Sequence, residues 1–144
     1  MNSNWRPDDS FLDTQDGEQA GVRRIREVLR KHGFELGQIL TSQDKGMEQV
    51  INELERSRMP PGLRQWQLPV AIDGAFAFRT VAETEAVVPE HSHRANLFRL
   101  VVSGTVTYRD VELNPGDWML VPKGQSYSLK ATSKPGFSTQ HMYW

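Results

Sequence analysis

The chain has 144 residues and a mass of 16.4 kDa, with 17 basic and 18 acidic side chains, four histidines and no cysteine. This length suits one compact domain with a modest extension. The lack of cysteine excludes disulfides, thiolate metal cages and a cysteine nucleophile. Charge is balanced in both halves of the chain, whereas binding to phosphates requires a basic excess. We therefore expect neither nucleic acid nor an anionic membrane as the principal partner.

The sequence also bears on location. It contains no run of about 20 apolar residues, the length that a membrane helix needs. Its first residues, from Met1 to Asp9, lack the basic and apolar regions of a secretory signal. We expect a soluble, cytoplasmic protein.

The chain divides into three parts by its hydrophobic pattern. Residues 1–16 have little periodicity, which predicts a flexible N-terminal arm. Residues 17–62 carry apolar side chains at helical spacing, which predicts a helical extension. Residues 63–144 carry short β-rich runs, which predict a separate β domain.

Two helices are expected in the extension. One is predicted over Glu18–Lys31, with Gly33 as its C-terminal cap. The second is predicted over Gln43–Arg56, with Thr41 or Ser42 as its N-terminal cap. Because two short helices cannot bury their apolar faces alone, we expect them to pack on the β domain or on a second subunit.

The β domain alternates short apolar runs with turn signals every eight to twelve residues or so. So many short strands in an open sheet would leave exposed edges, which favours a closed all-β sandwich or barrel. The predicted strands are Gln65–Ile72, Ala75–Val81, Thr84–Val88, Leu97–Ser103, Thr105–Tyr108, Val111–Leu113, Trp118–Val121, Ser126–Ala131 and Phe137–Trp144.

His91 and His93 are the most informative pair of polar residues. Side chains two positions apart on a strand share a face, so both imidazoles point the same way, about 6–7 Å apart along the strand. If they face into a barrel, both can reach one metal ion. If they face outward, they are a surface pair, and the two residues alone do not decide between these alternatives.

Turn residues follow this pair in a characteristic order. Gly104 comes first, then Gly116, and then, after five intervening residues, Pro122 and Gly124. Together with the histidine pair, this order resembles the two motifs of the cupin family of small β-barrels. The resemblance covers roughly residues 70–144, and it implies a jelly-roll barrel behind the N-terminal helices.

The resemblance also implies a metal site with a reduced donor set. Of the family's four usual ligands, only His91 and His93 are present, because Leu97 stands at the glutamate position and Tyr127 at the position of the last histidine. The ion implied is a divalent transition metal: iron, nickel, manganese, copper or zinc.

A third imidazole is predicted from the last strand. If the final two strands form a hairpin symmetric about Lys134, Tyr127 lies opposite His141, and both side chains point inward. We predict His141 as a metal ligand, although a one-residue bulge would turn it outward. Tyr127 is a phenolate ligand, a catalytic group that moves a proton, or an aromatic lining of the barrel. Tyr143 is interpreted as core or pocket wall.

Arg99 shares a strand face with Leu97 and Val101, which is the inward face in the cupin register. A buried arginine needs a carboxylate, either from the protein, with Glu83 and Glu85 as candidates, or from an acidic ligand. A register shifted by one residue would instead place Arg99 in solvent.

The family resemblance implies a metal-dependent enzyme acting on a small organic molecule by oxygenation, isomerisation, cyclisation or lyase chemistry. In this hypothesis Tyr127 is catalytic and Arg99 binds the substrate, which is then acidic. The missing ligands favour an alternative, a non-catalytic cupin that binds a small ligand or modulates a partner. We also expect a homodimer, because cupins often pair through a barrel face and the N-terminal helices have apolar surface to cover.

Overall fold

The computed structural model describes residues 5–132 and 134–144, and the strands fall where short apolar runs alternate with turns. Every predicted strand boundary in the β domain lies within two residues of the observed one, with one exception. The strand predicted over Thr84–Val88 begins and ends three residues later, at Val87 and His91. The elements are a 3-10 helix (Ser10–Leu12), β1 (Thr14–Gln15), β2 (Glu18–Gln19), α1 (Ala20–Lys31), α2 (Met47–Glu53), β3 (Leu63–Ile72), β4 (Ala75–Ala82), β5 (Val87–His91), β6 (Leu97–Gly104), β7 (Val106–Tyr108), β8 (Val111–Leu113), β9 (Trp118–Val121), β10 (Tyr127–Ala131) and β11 (Phe137–Tyr143).

Two antiparallel sheets enclose the core of the β domain. One has the strand order β3-β4-β11-β6-β9 and the other β5-β10-β7-β8, while β1 and β2 form a small ribbon. Buried and exposed residues alternate along β4, β10 and β11, because successive side chains on a strand point to opposite faces. The prediction of a mainly β protein with N-terminal helices is confirmed.

The last two strands do not form the predicted hairpin. β10 pairs with β5 and β7 on its two sides, and β11 pairs with β4 and β6, so the two strands belong to different sheets. The connection between them crosses at Gly136, which lies so close to β4 that an added Cβ would sit 1.9 Å from the Ala82 carbonyl oxygen. Only glycine fits at this close approach, which lies where the chain passes from one sheet to the other. The opposition of Tyr127 and His141 is therefore wrong, although both side chains are buried.

The helices pack against the first strand of the larger sheet. Both α1 and α2 contact β3, and their apolar faces join the core of the β domain. α1 ends at Lys31, and Gly33 two residues later has a positive φ of 85°, while the Phe34 amide donates to the Leu29 carbonyl as in a glycine-terminated helix. α2 is shorter than predicted, because the Arg56 amide bonds β3 at the Gln65 carbonyl.

The start of α2 also differs from the prediction. Thr41 donates its amide and hydroxyl hydrogens to the Asp44 carboxylate, which closes a turn before the helix. The residue that precedes the helix is Gly46, and no side chain caps it. The predicted capping by Thr41 or Ser42 is therefore wrong.

The described part of the predicted arm lies against the barrel. Phe11 is buried at 8% exposure, and its ring contacts those of Phe76, Phe78 and Tyr143. Residues 1–4 of the predicted arm lie outside the described residues. None of the helices described is long and apolar enough to cross a membrane.

Candidate functional site

The histidine pair lies inside the barrel. His91 is the last residue of β5 and His93 follows two positions later, so both side chains point to the same side of the chain. They are 5% and 7% exposed. Their Nε2 atoms are 3.0 Å apart, so the two imidazoles converge on one point.

The other ring nitrogens fix the protonation of this pair. His91 Nδ1 donates a hydrogen bond to the Pro89 carbonyl over 2.7 Å, and His93 Nδ1 donates to the Asp9 carboxylate over 3.2 Å. With the Nδ1 hydrogens donated in this way, Nε2 of each ring is the nitrogen available to bind a ligand. Burial lowers the pKa of His91 to about 4, so this ring is neutral near pH 7. Two facing lone pairs repel each other unless a proton or a metal ion lies between them.

Two tyrosine hydroxyls approach the same nitrogen. Tyr127 Oη and Tyr143 Oη each lie 3.3 Å from His93 Nε2. Burial raises the pKa of both phenols, so both are protonated in the apoprotein. Tyr143 was interpreted from the sequence only as core or pocket wall, although its place two residues after His141 puts both on the inward face of β11.

His141 is buried but lies among other partners. It is 1% exposed, with Nε2 3.4 Å from Gln65 Nε2 and its ring stacked parallel to that of Phe78. Its Nδ1 atom has no hydrogen-bond partner among the described residues, and burial lowers its pKa. Within residues 5–132 and 134–144, no group of three or more histidine, aspartate or glutamate side chains is arranged to hold one metal ion. The structure thus brings His91 and His93 together, but it does not gather His141 into such a group.

Arg99 points into the barrel. It is 4% exposed, and its Nη1 donates a hydrogen bond of 2.8 Å to the Thr139 hydroxyl. Its Nε–H has no partner in the described part of the chain. Glu83 and Glu85 are exposed, and neither is among the ion pairs of the described residues. A buried cation with an unused donor is suited to an anionic ligand.

These groups line one cavity of about 30 Å³. This volume holds about two water molecules. The polar groups around it converge from both sheets and from the N-terminal segment. The lining includes His91, His93, Arg99, Tyr127, Tyr143 and Gln65.

Residues 5–9 close the cavity, and we name them the cap segment. Trp5 Nε1 donates to the Arg58 carbonyl over 2.8 Å, and the Trp5 ring meets the His91 ring edge-on at 5.0 Å. Asp9 reaches His93, and the Arg94 guanidinium bonds the Asp9 carbonyl over 2.6 Å. The role of Asp9 was missed from the sequence, because it contacts His93 across 84 positions and no local pattern marks such a contact.

Known structures share this arrangement of strands. No family model and no curated protein matches the sequence. An RmlC-like cupin from Shewanella frigidimarina matches 60% of this chain and 78% of its own, with a TM-score of 0.50 and 21% identity. The chain has the cupin fold. The order of histidines, glycines and proline in the sequence predicted a cupin fold, and the structural match confirms that prediction for the fold.

Two further matches show what proteins of this fold do. A chain in the complex of Rhodobacter sphaeroides SigE with the anti-sigma ChrR matches 62% of this chain, with a TM-score of 0.56 and 21% identity; the match spans 49%, about half, of that chain. Bacillus subtilis oxalate decarboxylase, which has Mn(II) centres, matches 65% of this chain and 28% of its own, with a TM-score of 0.52 and 16% identity. Structures that contain this fold thus include a metalloenzyme and a complex between SigE and the anti-sigma ChrR.

Proposed function

We propose that this cupin is a metal-dependent enzyme that acts on a small organic acid inside the barrel. One observation carries the proposal. The Nε2 atoms of His91 and His93 converge to 3.0 Å beside a cavity that Arg99 also lines, and the Arg99 Nε–H has no partner among the described residues. A metal ion and an anionic substrate are the partners that these groups lack.

The histidine pair fits a transition-metal ion. Imidazole nitrogens bind such ions at about 2.1 Å, which places two adjacent ligands about 3.0–3.4 Å apart. The observed separation of 3.0 Å falls in this range. Iron, nickel, manganese, copper and zinc all accept imidazole, and the bound ion would supply a Lewis acid that polarises an oxygen of the substrate.

The other polar side chains would bind the substrate and move protons. Arg99 would hold a carboxylate of the substrate through its free Nε–H, and the Thr139 contact would keep the guanidinium in place. Tyr127 lies beside the pair, so its hydroxyl would either move a proton or bind the ion as a phenolate. His141 remains a predicted third ligand, and its present neighbours are Gln65 and Phe78.

The metal content of the protein purified without a chelating tag tests this proposal. We expect close to one transition-metal ion per chain, as measured by elemental analysis. Loss of the metal should also abolish turnover of small carboxylic acids in a substrate screen. A protein that binds no transition metal under these conditions would contradict the enzyme proposal.

A second function is a non-catalytic cupin that binds a small ligand or modulates a partner. The favouring observation is that the described residues offer no cluster of three or more histidine and carboxylate ligands. Under this alternative, a small acid binds equally well to the metal-free protein, and calorimetry with and without a chelator separates the two functions.

We further propose that this cupin forms a homodimer through the outer face of its larger sheet. On this face, Trp118 lies opposite Leu100, and Leu120 lies opposite Phe98. Trp118 is 59% exposed and Leu120 52%, on the edge strand β9. Contiguous exposed apolar side chains of this kind mark an interface.

Charge on this face should separate the dimer. We expect Trp118→Glu to shift the mass in light scattering from twice 16.4 kDa to a single chain, because a buried unpaired carboxylate at the interface is costly. Ile39→Glu is the matched control, since Ile39 is 96% exposed and its change should leave the mass unaltered. A dimer that survives Trp118→Glu would exclude this face.

A further inference from the structure

We propose that His91, His93, Tyr127 and Tyr143 together form a four-donor site for ferric iron. This inference rests on the proposed metal-dependent function, and it adds the donor set and the oxidation state. The sequence pattern marks only the histidine pair, whereas the two phenols come from β10 and β11.

The distances around one atom support this donor set. From His93 Nε2, the distances are 3.0 Å to His91 Nε2, 3.3 Å to Tyr127 Oη and 3.3 Å to Tyr143 Oη. Ligands bonded at about 2.1 Å to one ion lie about 3.0–3.4 Å from their neighbours. All three distances fall within that range, as the separations between ligands of one ion do.

The two sheets hold these groups from opposite sides. Tyr127 on β10 is the cross-strand partner of His91, and their ring centres are 4.5 Å apart. Tyr143 on β11 comes from the facing sheet, and its ring centre is 4.8 Å from that of His93. Phe78 packs edge-on against Tyr143, so the phenol has little freedom to turn away.

More polar atoms surround His93 Nε2 than one hydrogen bond can join. His93 Nε2 has one lone pair, because its Nδ1–H is donated to Asp9. Three polar atoms nevertheless crowd this single acceptor, and one of them, His91 Nε2, carries a lone pair of its own. A cation bound between these four atoms would accept electron density from each of them.

Two phenol oxygens favour iron in the ferric state. Phenolate is a hard anionic ligand, and imidazole is a borderline one that iron accepts. When each oxygen bonds the ion, its phenol proton passes to solvent, so two phenolates offset two of the three positive charges. The remaining charge adds to that of Arg99 and favours an anionic substrate in the same cavity.

Iron loading and visible absorption test this donor set. Metal-free protein is incubated with ferric nitrilotriacetate, freed of excess iron and measured for iron content and colour. We expect about one iron per chain and a visible phenolate-to-iron charge-transfer band. Tyr143→Phe should keep iron but lose about half of the band, because one of two phenolates is removed. Tyr108→Phe is the matched control, since Tyr108 is half-buried on β7 and away from the cavity lining, and it should leave the band unchanged.

Each result decides the inference. Iron bound without a visible band, or a band that Tyr143→Phe leaves unaltered, overturns the four-donor site while the proposed enzyme stands. A protein that binds no transition metal overturns both. If Tyr143→Phe does not fold, resonance Raman spectra of the unaltered iron protein decide, since enhanced phenolate vibrations support the site and their absence overturns it.

Discussion

The His91→Ala and His93→Ala variants should each lose the bound metal, with affinity reduced by at least about 100-fold. Each change removes one of two imidazoles whose Nε2 atoms converge at 3.0 Å. One imidazole donor then remains, and burial opposes the ionisation of the phenols that would have to hold the ion with it. Elemental analysis after dialysis against a metal buffer measures the loss.

Two further variants sharpen this result. Asp9→Asn should weaken metal binding by about 10- to 100-fold, because the carboxylate that orients the His93 ring is lost. His32→Ala is the matched control for removal of an imidazole, since His32 follows α1 and bonds Glu53 far from the cavity lining. Metal retained at full stoichiometry in His91→Ala would exclude the pair as ligands.

The sequence predicted the strands and the inward pair because their signals are local. Glycine and proline turns set the strand boundaries to within two residues for every strand but β5. β5 begins later because Glu85 adopts a positive φ of 65°, which lengthens the turn before it. The spacing of His91 and His93 then requires both to share a face.

The rest of the site depends on contacts that no local pattern encodes. Asp9 reaches His93 from a segment with no periodicity, and it does so across 84 positions. Tyr127 and His141 were assigned to one hairpin, but the glycine-dependent crossing at Gly136 places them in different sheets. The place of Tyr143 in the site also depends on the sheet order. β11 lies between β4 and β6, and no local sequence pattern predicts this position.

Replacement of Arg99 by methionine should abolish binding of small carboxylates while the fold remains intact. A charged hydrogen-bonded contact of this kind contributes about 2–5 kcal/mol, so affinity should fall by about 30- to 5000-fold. The unliganded protein loses the 2.8 Å bond to Thr139 and the contact of the guanidinium with the Tyr127 hydroxyl. In exchange, an apolar side chain of similar length replaces a buried cation that has no carboxylate partner among the described residues. Its thermal stability should therefore be unchanged or higher.

Calorimetric titration with short mono- and dicarboxylic acids measures this loss, and thermal unfolding of the free variant checks the fold. Arg79→Met is the matched control, because Arg79 lies exposed on β4 beside the Trp66 ring and loses the same charge outside the cavity. The comparison separates a local contact from a change in net charge, since both variants alter the overall charge by one unit. If Arg99→Met binds carboxylates as tightly as the unaltered protein, the guanidinium holds no part of the substrate, and the unused Nε–H is then a feature of the core alone.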